Sequence, residues 1–203
     1  MMGALAFTRL VDELNRKIGL IAIWLVLLCS ALAAINAFVS YGITGLVTLS
    51  RMSPTMDAIF GGFLRWYTNN SNGFLEAQVY MFCALVMLGS PWVLKLNEHV
   101  RVDLLYGSVS ERTRTWIDLL GGLFFLLPFC LIMLWLSAPY FVKTWVNGEV
   151  SSNAGGLPLW PFTIWIPIGF ALLLLQAIAE MIKCIAALGG NYHREFAYEK
   201  PVQ

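Results

Sequence analysis

The residue types that perform catalysis, redox chemistry or metal binding are scarce and scattered in this sequence. The histidines are His99 and His193, and both lie outside the long apolar runs where a haem-binding bundle would need its axial ligands. The cysteines lie one in each apolar run: Cys29, Cys83, Cys130 and Cys184. They match neither a Cys-x-x-Cys redox motif nor the spacing of a zinc site. A phosphate-binding GxxxxGK(S/T) loop and a nucleophile–base constellation are also missing. We therefore predict a protein that is not an enzyme and has no catalytic residue, metal or cofactor.

The polar residues within the apolar runs predict pairing between helices, and not transport chemistry. An ion-coupled carrier would place ionisable groups at mid-membrane, but here charged residues occur only near the ends of the runs: Glu76, Lys95, Asp118, Glu180 and Lys183. Asn36 is the deepest clear polar residue, and we expect it to form an interhelical hydrogen bond. Gln176, Glu180 and Lys183 follow one another at spacings of four and three, so they share one helix face. We expect this stripe to pair within the chain or with a partner subunit, and not to relay protons.

The elements that carry these residues are predicted to be membrane-spanning helices. Hydrophobic residues make up 59% of the 203-residue chain and charged residues only 12%, about half the ~25% of soluble domains. The formal net charge of +1 excludes a strongly basic nucleic-acid-binding protein. A spanning helix needs ~20 apolar residues, and the uncharged runs predict spans near 18–48, 74–96, 115–138 and 160–187. The predicted fold is one all-α integral membrane domain with four transmembrane helices, surrounded by lipids.

The distribution of basic residues predicts the orientation of the chain. Lys and Arg are concentrated in the N-terminal segment, in the loop between spans two and three, and in the C-terminal tail; the exceptions are Arg51, Arg65 and Lys143. Because positively charged loops stay on the cytoplasmic side, we predict that both termini and the loop 97–114 are cytoplasmic. The connections after spans one and three then face the periplasm or exterior.

The connection after span one predicts an additional helix that lies on the outer membrane interface. Pro54 suits the first position of a helix, and Ser53 suits the cap before it. Apolar residues follow at spacings of three and four and so share one face: Met56, Ile59, Phe60, Phe63 and Tyr67. We predict an interfacial amphipathic helix near 53–67, ended by the polar run 68–73. The alternative is an ordinary loop with scattered apolar residues.

Two sequence blocks resemble the small membrane subunits (DctQ type) of tripartite ATP-independent periplasmic (TRAP) transporters. The first reads EHVRVDLLY at 98–106 and SERTRTWIDLLG at 110–121. The second reads GEVSSNAGGLPLWP at 148–161, then IPIGF at 166–170 and LQAIAE at 175–180. The resemblance covers roughly 74–188. The chain departs from the family at the start of span two, where only Glu76 stands in place of an acidic pair, and in the longer segment 51–72.

The resemblance implies a role in solute uptake across the bacterial inner membrane. In such systems a periplasmic binding protein delivers a carboxylate-bearing solute, and a large membrane subunit moves it with a sodium gradient. The small subunit packs against the large one and widens the stationary scaffold of an elevator. Two alternatives remain on the residues alone: a stand-alone four-span carrier, and a structural or assembly protein unrelated to transport.

Within this resemblance, several residues are candidates for partner contacts or for structural roles. Arg101 and Asp103 are expected to fix the cytoplasmic loop or to dock the large subunit. The acidic residues at the span boundaries, Glu76, Asp118 and Glu180, are expected to neutralise basic groups of a partner. The remaining structural candidates are Asn36, Glu98, His99, Arg112 and Gln176. Candidates for contact with the binding protein are Ser151, Ser152, Asn153, Gly155 and Gly156. The alternative is a solvated boundary charge for each charged residue, and a structural turn for the loop.

Overall fold

The computed structural model describes residues 2–52, 54–97, 109–153, 155–190 and 192. Its helices are α1 (Met2–Met52), α2 (Pro54–Leu96), α3 (Glu111–Gly121), α4 (Leu127–Asn147), α5 (Trp160–Thr163) and α6 (Trp165–Leu188), and a π-helical turn (Gly122–Leu126) joins α3 to α4. Four stretches are long and apolar enough to cross a membrane: Gly3–Thr48, Asp57–Leu96, Glu111–Asn147 and Trp160–Leu188. These stretches confirm the predicted all-α fold with four membrane-spanning helices.

The first two helices form a long antiparallel pair. Gly19 lies so close to Trp92 that a Cβ atom on residue 19 would overlap the indole ring. Further along the pair, the Cys29 thiol donates to the Gln78 carbonyl at 3.6 Å. The Tyr67 hydroxyl donates to Asn36 Oδ1 at 2.7 Å. Asn36 therefore makes the interhelical hydrogen bond that its position in an apolar span predicts.

The polar run 68–73 does not end a helix, which corrects the sequence interpretation. α2 continues without interruption from Pro54 to Leu96, so the predicted amphipathic helix and span two are one element. The side chains of Thr68 and Asn70 donate to the carbonyls of Leu64 and Trp66 at 2.8 and 2.7 Å. Such bonds to the helix's own backbone let polar residues remain in a helix. Aromatic packing of Tyr67 on Phe74, with ring centroids 6.0 Å apart, also bridges the run.

The predicted apolar stripe of the 53–67 segment is divided between two environments. Tyr67 of the stripe is buried, whereas Ile59 and Phe63 are exposed; Leu64, which lies outside the predicted stripe, is buried as well. The buried residues lie at i and i+3, the spacing of one helix face. The Tyr67 side chain is held at α1, because its hydroxyl also lies 2.8 Å from the Ser40 hydroxyl. This segment therefore packs against α1 with one face and leaves part of the apolar stripe uncovered.

The last helix is the centre of the bundle, because α6 contacts α1, α2 and both halves of the third membrane helix. Gly169 of α6 lies against Met87 of α2 without room for a Cβ atom. The next residue, Phe170, packs edge-on against Phe129 of α4, with ring centroids 5.7 Å apart. The fully buried side chains of α6 include Gln176 and Cys184. The sequence of α6 thus combines small residues for close approach with a polar group that requires a partner.

Candidate functional site: two polar clusters at opposite ends of the bundle

The two clusters are named inner and outer after the sides of the membrane that the sequence predicts for them. The inner cluster joins the start of the chain to its last helix. Asp12 and Asn15 come from α1, and Gln176, Glu180 and Lys183 come from α6. Gln176 Nε2 donates to Asp12 Oδ1 at 2.9 Å and to Glu180 Oε1 at 2.8 Å. Lys183 Nζ donates to the same two oxygens at 2.9 and 2.7 Å. Asn15 Nδ2 donates to Gln176 Oε1 at 2.7 Å. Each carboxylate is therefore bound by one amide and one ammonium group.

The environment of the inner cluster makes these contacts important for stability. Gln176 is fully buried, Asn15 is 1% exposed, and the Lys183 side chain is 8% exposed. Buried polar groups are costly unless they are hydrogen-bonded, and a buried charge is costly unless it is paired. Lys183 is the ammonium group that pairs with both Asp12 and Glu180. The cluster thus fastens α1 to α6, and its chemistry is that of a structural connection.

The sequence predicted three of the five residues of the inner cluster. The stripe of Gln176, Glu180 and Lys183 was expected to pair within the chain or with a partner, and the structure shows pairing within the chain. Asp12 and Asn15 were not predicted as its partners. A signal for these two partners was present in the sequence. Thr8, Asp12 and Asn15 are spaced by four and three residues, so they form a polar stripe on one helix face.

The outer cluster is built around Glu76 near the beginning of the second predicted span. Its Oε1 accepts hydrogen bonds from the Ser151 hydroxyl and, at 2.7 Å, from Asn153 Nδ2. Its Oε2 accepts the backbone N–H of Leu157 at 2.7 Å. Hydrogen bonds to an ionised acceptor are the stronger kind. Glu76 therefore attaches the loop between α4 and α5 to the side of α2.

The loop held by Glu76 is a small hairpin, which the structure describes at residues 149–153 and 155–159. Leu159 N–H donates to the Glu149 carbonyl at 2.9 Å, and Ser151 N–H donates to the Leu157 carbonyl at 3.0 Å. At the tip, Gly155 has a φ of 69°, in the left-handed region that favours glycine. A Cβ atom at residue 155 would also clash with the Asn69 carbonyl oxygen of α2. The hairpin is thus shaped by glycine and fixed by one carboxylate.

Replacing Gly155 by alanine is expected to loosen the hairpin by about 2 kcal/mol, since it adds the cost of a left-handed residue to the clash with Asn69. Hydrogen exchange of the peptide 149–159 should then become roughly 30-fold faster. Gly148→Ala is the matched control, because Gly148 has a φ of 59° but no neighbouring atom within 4 Å of its Cβ position. Equal effects of the two substitutions would contradict the proposed contact with α2.

The other residues that the sequence singled out lie outside the described residues, in α3, or in the outer loop. Glu98, His99, Arg101 and Asp103 lie outside the described residues. Arg112 is exposed and Asp118 is half-buried in α3, which begins after the N-cap Ser110. In the outer loop, Ser152 and Gly155 are exposed, and Gly156 is partly covered. Within the described ranges, no group of three or more His, Cys, Asp or Glu side chains is arranged to hold a metal ion.

The comparison with known proteins identifies the family. The family model for tripartite ATP-independent periplasmic transporters, DctQ component, matches residues 58–187. No curated protein and no solved structure gives a significant match. The matched region holds Glu76 with its hairpin as well as Gln176, Glu180 and Lys183 of the inner cluster, whereas Asp12 and Asn15 lie before it. This match over more than half of the sequence shows that the chain belongs to the DctQ family and is a small membrane subunit of a TRAP transporter.

Proposed function

We propose that this chain packs against the large membrane subunit of its transporter as a non-catalytic part of the stationary scaffold. The transporter would import a carboxylate-bearing solute, driven by sodium and supplied by a periplasmic binding protein. The observation that carries the proposal is the internal pairing of the polar clusters. Gln176, Glu180 and Lys183 bind one another and α1, and Glu76 binds the outer hairpin. These groups act as connections between helices, as a rigid scaffold requires.

The apolar surface supports the same proposal. Only 6% of the most apolar window of the third membrane helix is buried within the chain, against 33% for the fourth. Large side chains are exposed on this third helix, among them Phe124, Phe125 and Trp135. In a membrane protein such a face contacts lipid or another subunit. We propose that the bacterial inner membrane surrounds the chain, with both termini cytoplasmic and the 149–159 hairpin periplasmic.

Sodium-driven uptake in proteoliposomes tests the proposed role. Three preparations are compared, each with the binding protein present: the large subunit alone, this chain alone, and both together. Uptake only by the two subunits together is the expected result, because the chain would supply the frame and the large subunit the moving domain. Uptake by this chain alone would overturn the proposal and favour a stand-alone carrier.

The cytoplasmic loop remains the proposed docking element for the large subunit, with Arg101 and Asp103 as its central residues. Replacing Arg101 by alanine is expected to lower co-purification of the large subunit severalfold, because arginine is enriched among the interface residues whose removal costs about 2 kcal/mol or more. The matched control is Arg65→Ala, since Arg65 lies on the opposite side in the predicted topology. Unchanged recovery of the large subunit with Arg101→Ala would contradict this role.

The outer hairpin is proposed as the surface that the binding protein touches. Ser151 and Asn153 are engaged with Glu76, so the structure favours a structural role for these two side chains. Ser152 and Gly155 are exposed and remain the candidates for transient contact. Because the hairpin is anchored at Glu76, a binding protein would meet a preformed surface, and little conformational entropy would be lost on contact.

A further inference from the structure

An apolar groove runs along the surface between α1 and α2. It has a volume of about 480 Å³, within the ~300–1,000 Å³ range of ligand-binding clefts. Its walls include Gly19, Ala22 and Val26 of α1 and Val86, Gly89 and Val93 of α2. The floor is formed by small residues, since a Cβ atom on Gly89 would lie 3.8 Å from the Cβ of Ala22. The branched side chains of Val26, Val86 and Val93 flank these small residues.

The chemistry of the groove selects an apolar occupant. Ser90 supplies the one hydroxyl among the described lining residues, and this hydroxyl already donates to the Val86 carbonyl of its own helix at 2.5 Å. Val26 and Val86 remain 49% and 43% exposed, so the groove is open along its length. A hydrocarbon chain would gain dispersion contacts on both walls, whereas a polar ligand would find few hydrogen-bonding groups beyond the Ser90 hydroxyl and the Trp92 indole N–H.

Positive charge is concentrated at one end of the groove. Gly19 lies against Trp92 in the antiparallel pair, so the residues before Gly19 and after Trp92 lie at the same end. Arg16, Lys17 and Lys95 follow within three residues of this contact, or about 5 Å along the helix axes. Glu13 is the facing carboxylate, 2.7 Å from Arg16 and 3.5 Å from Lys17. Three cationic groups against one carboxylate leave an excess of positive charge.

We propose that this groove binds an anionic phospholipid, with one acyl chain between α1 and α2 and its phosphate near Lys17 and Lys95. The apolar groove and the basic end together match the two parts of such a lipid. Basic residues beside the membrane attract anionic headgroups, and Trp92 at the mouth is typical of the headgroup level. A helix of another protein could fill the apolar part, but the excess positive charge favours the lipid. The proposal depends on the membrane location of the chain and not on its transport role.

Native mass spectrometry of the purified chain tests the headgroup part of the proposal. Phosphatidylglycerol and phosphatidylcholine are supplied in equal amounts to the detergent-solubilised protein. We expect retention of phosphatidylglycerol in preference to phosphatidylcholine. The double variant Lys17→Gln/Lys95→Gln should weaken phosphatidylglycerol binding about tenfold, since each basic group contributes about fivefold at most. Lys143→Gln, at an exposed position in α4, is the control and should retain the lipid as the unmodified chain does.

Val86→Trp tests the groove itself, because the larger ring would fill it from an exposed position. The variant should lose both lipids, and the control Val79→Trp, exposed on the same helix outside the groove, should keep them. The charge variants leave the groove intact, so they decide the question even if Val86→Trp lowers stability. Equal retention of the two lipids by the unmodified chain, or unchanged binding by the charge variants, would overturn the proposal. So would a lipid-free dimer of the unmodified chain that Val86→Trp dissociates, because a second copy would then occupy the groove.

Discussion

Replacing Lys183 by methionine is expected to lower the free energy of unfolding by about 3 kcal/mol. The change leaves Asp12 and Glu180 without the ammonium group that lies 2.9 and 2.7 Å from their oxygens. Removing one partner of a buried ion pair typically costs 3–5 kcal/mol, because the remaining charge stays desolvated. Methionine keeps the length of the side chain, so the loss would report on charge and not on a cavity.

Equilibrium unfolding in mixed micelles measures this effect. Lys143→Met is the matched control, because Lys143 is exposed in α4, and we expect little change from it. Adding Asp12→Asn to Lys183→Met should recover part of the lost stability, since one of the two uncompensated carboxylates becomes neutral. A double variant no more stable than Lys183→Met alone would show that the uncompensated charge of Asp12 does not cause the loss.

Replacing Glu76 by alanine is expected to release the outer hairpin from α2. Three donors lose their acceptor at once: the Ser151 hydroxyl, the Asn153 amide and the Leu157 N–H. Hydrogen bonds to a charged group contribute about 1.5–3 kcal/mol each, and shared contacts do not add fully. We therefore expect a local loss of about 3 kcal/mol, with a smaller loss for Glu76→Gln, whose amide oxygen still accepts.

Hydrogen exchange of the peptide 149–159 measures the release of the hairpin. A loss of about 3 kcal/mol should make exchange at Leu157 more than 100-fold faster. The control is Glu149→Gln, which removes the same charge from the hairpin itself, where the carboxylate accepts only a 3.3 Å hydrogen bond from Asn147. If Glu76→Ala left the exchange rate unchanged, the hairpin would be held by its own backbone bonds, and Glu76 would not be its anchor.

The sequence could predict those features that depend on local composition. The long uncharged runs predicted four membrane helices, because the cost of placing charged groups in hydrocarbon is the same in any fold. Two motif blocks predicted the family, and the comparison confirmed it. The stripe of Gln176, Glu180 and Lys183 predicted a polar contact, since these side chains share one face of an otherwise apolar helix. Each of these conclusions follows from residues that are close together along the chain.

Local composition was misleading at the polar run 68–73. Asparagine, serine and glycine commonly end helices because their side chains or backbone compete with helical hydrogen bonds. Here Thr68 and Asn70 bond to the carbonyls of their own helix, and the 149–159 hairpin packs beside them. Side-chain bonds within the helix and the tertiary contact with the hairpin together allow a sequence that resembles a turn to remain helical.

Only the tertiary structure decided which distant residues meet. Asp12 and Lys183 are 171 positions apart, and their contact depends on the register and rotation of α1 against α6. Glu76 reaches Leu157 across 81 positions, because α2 and the hairpin lie side by side. The sequence by itself determined the lipid environment and the four membrane spans, through the free energy of transfer of each segment into lipid, and its two motif blocks determined the family. The pairing of polar groups is set by helix packing, to which residues from the whole chain contribute.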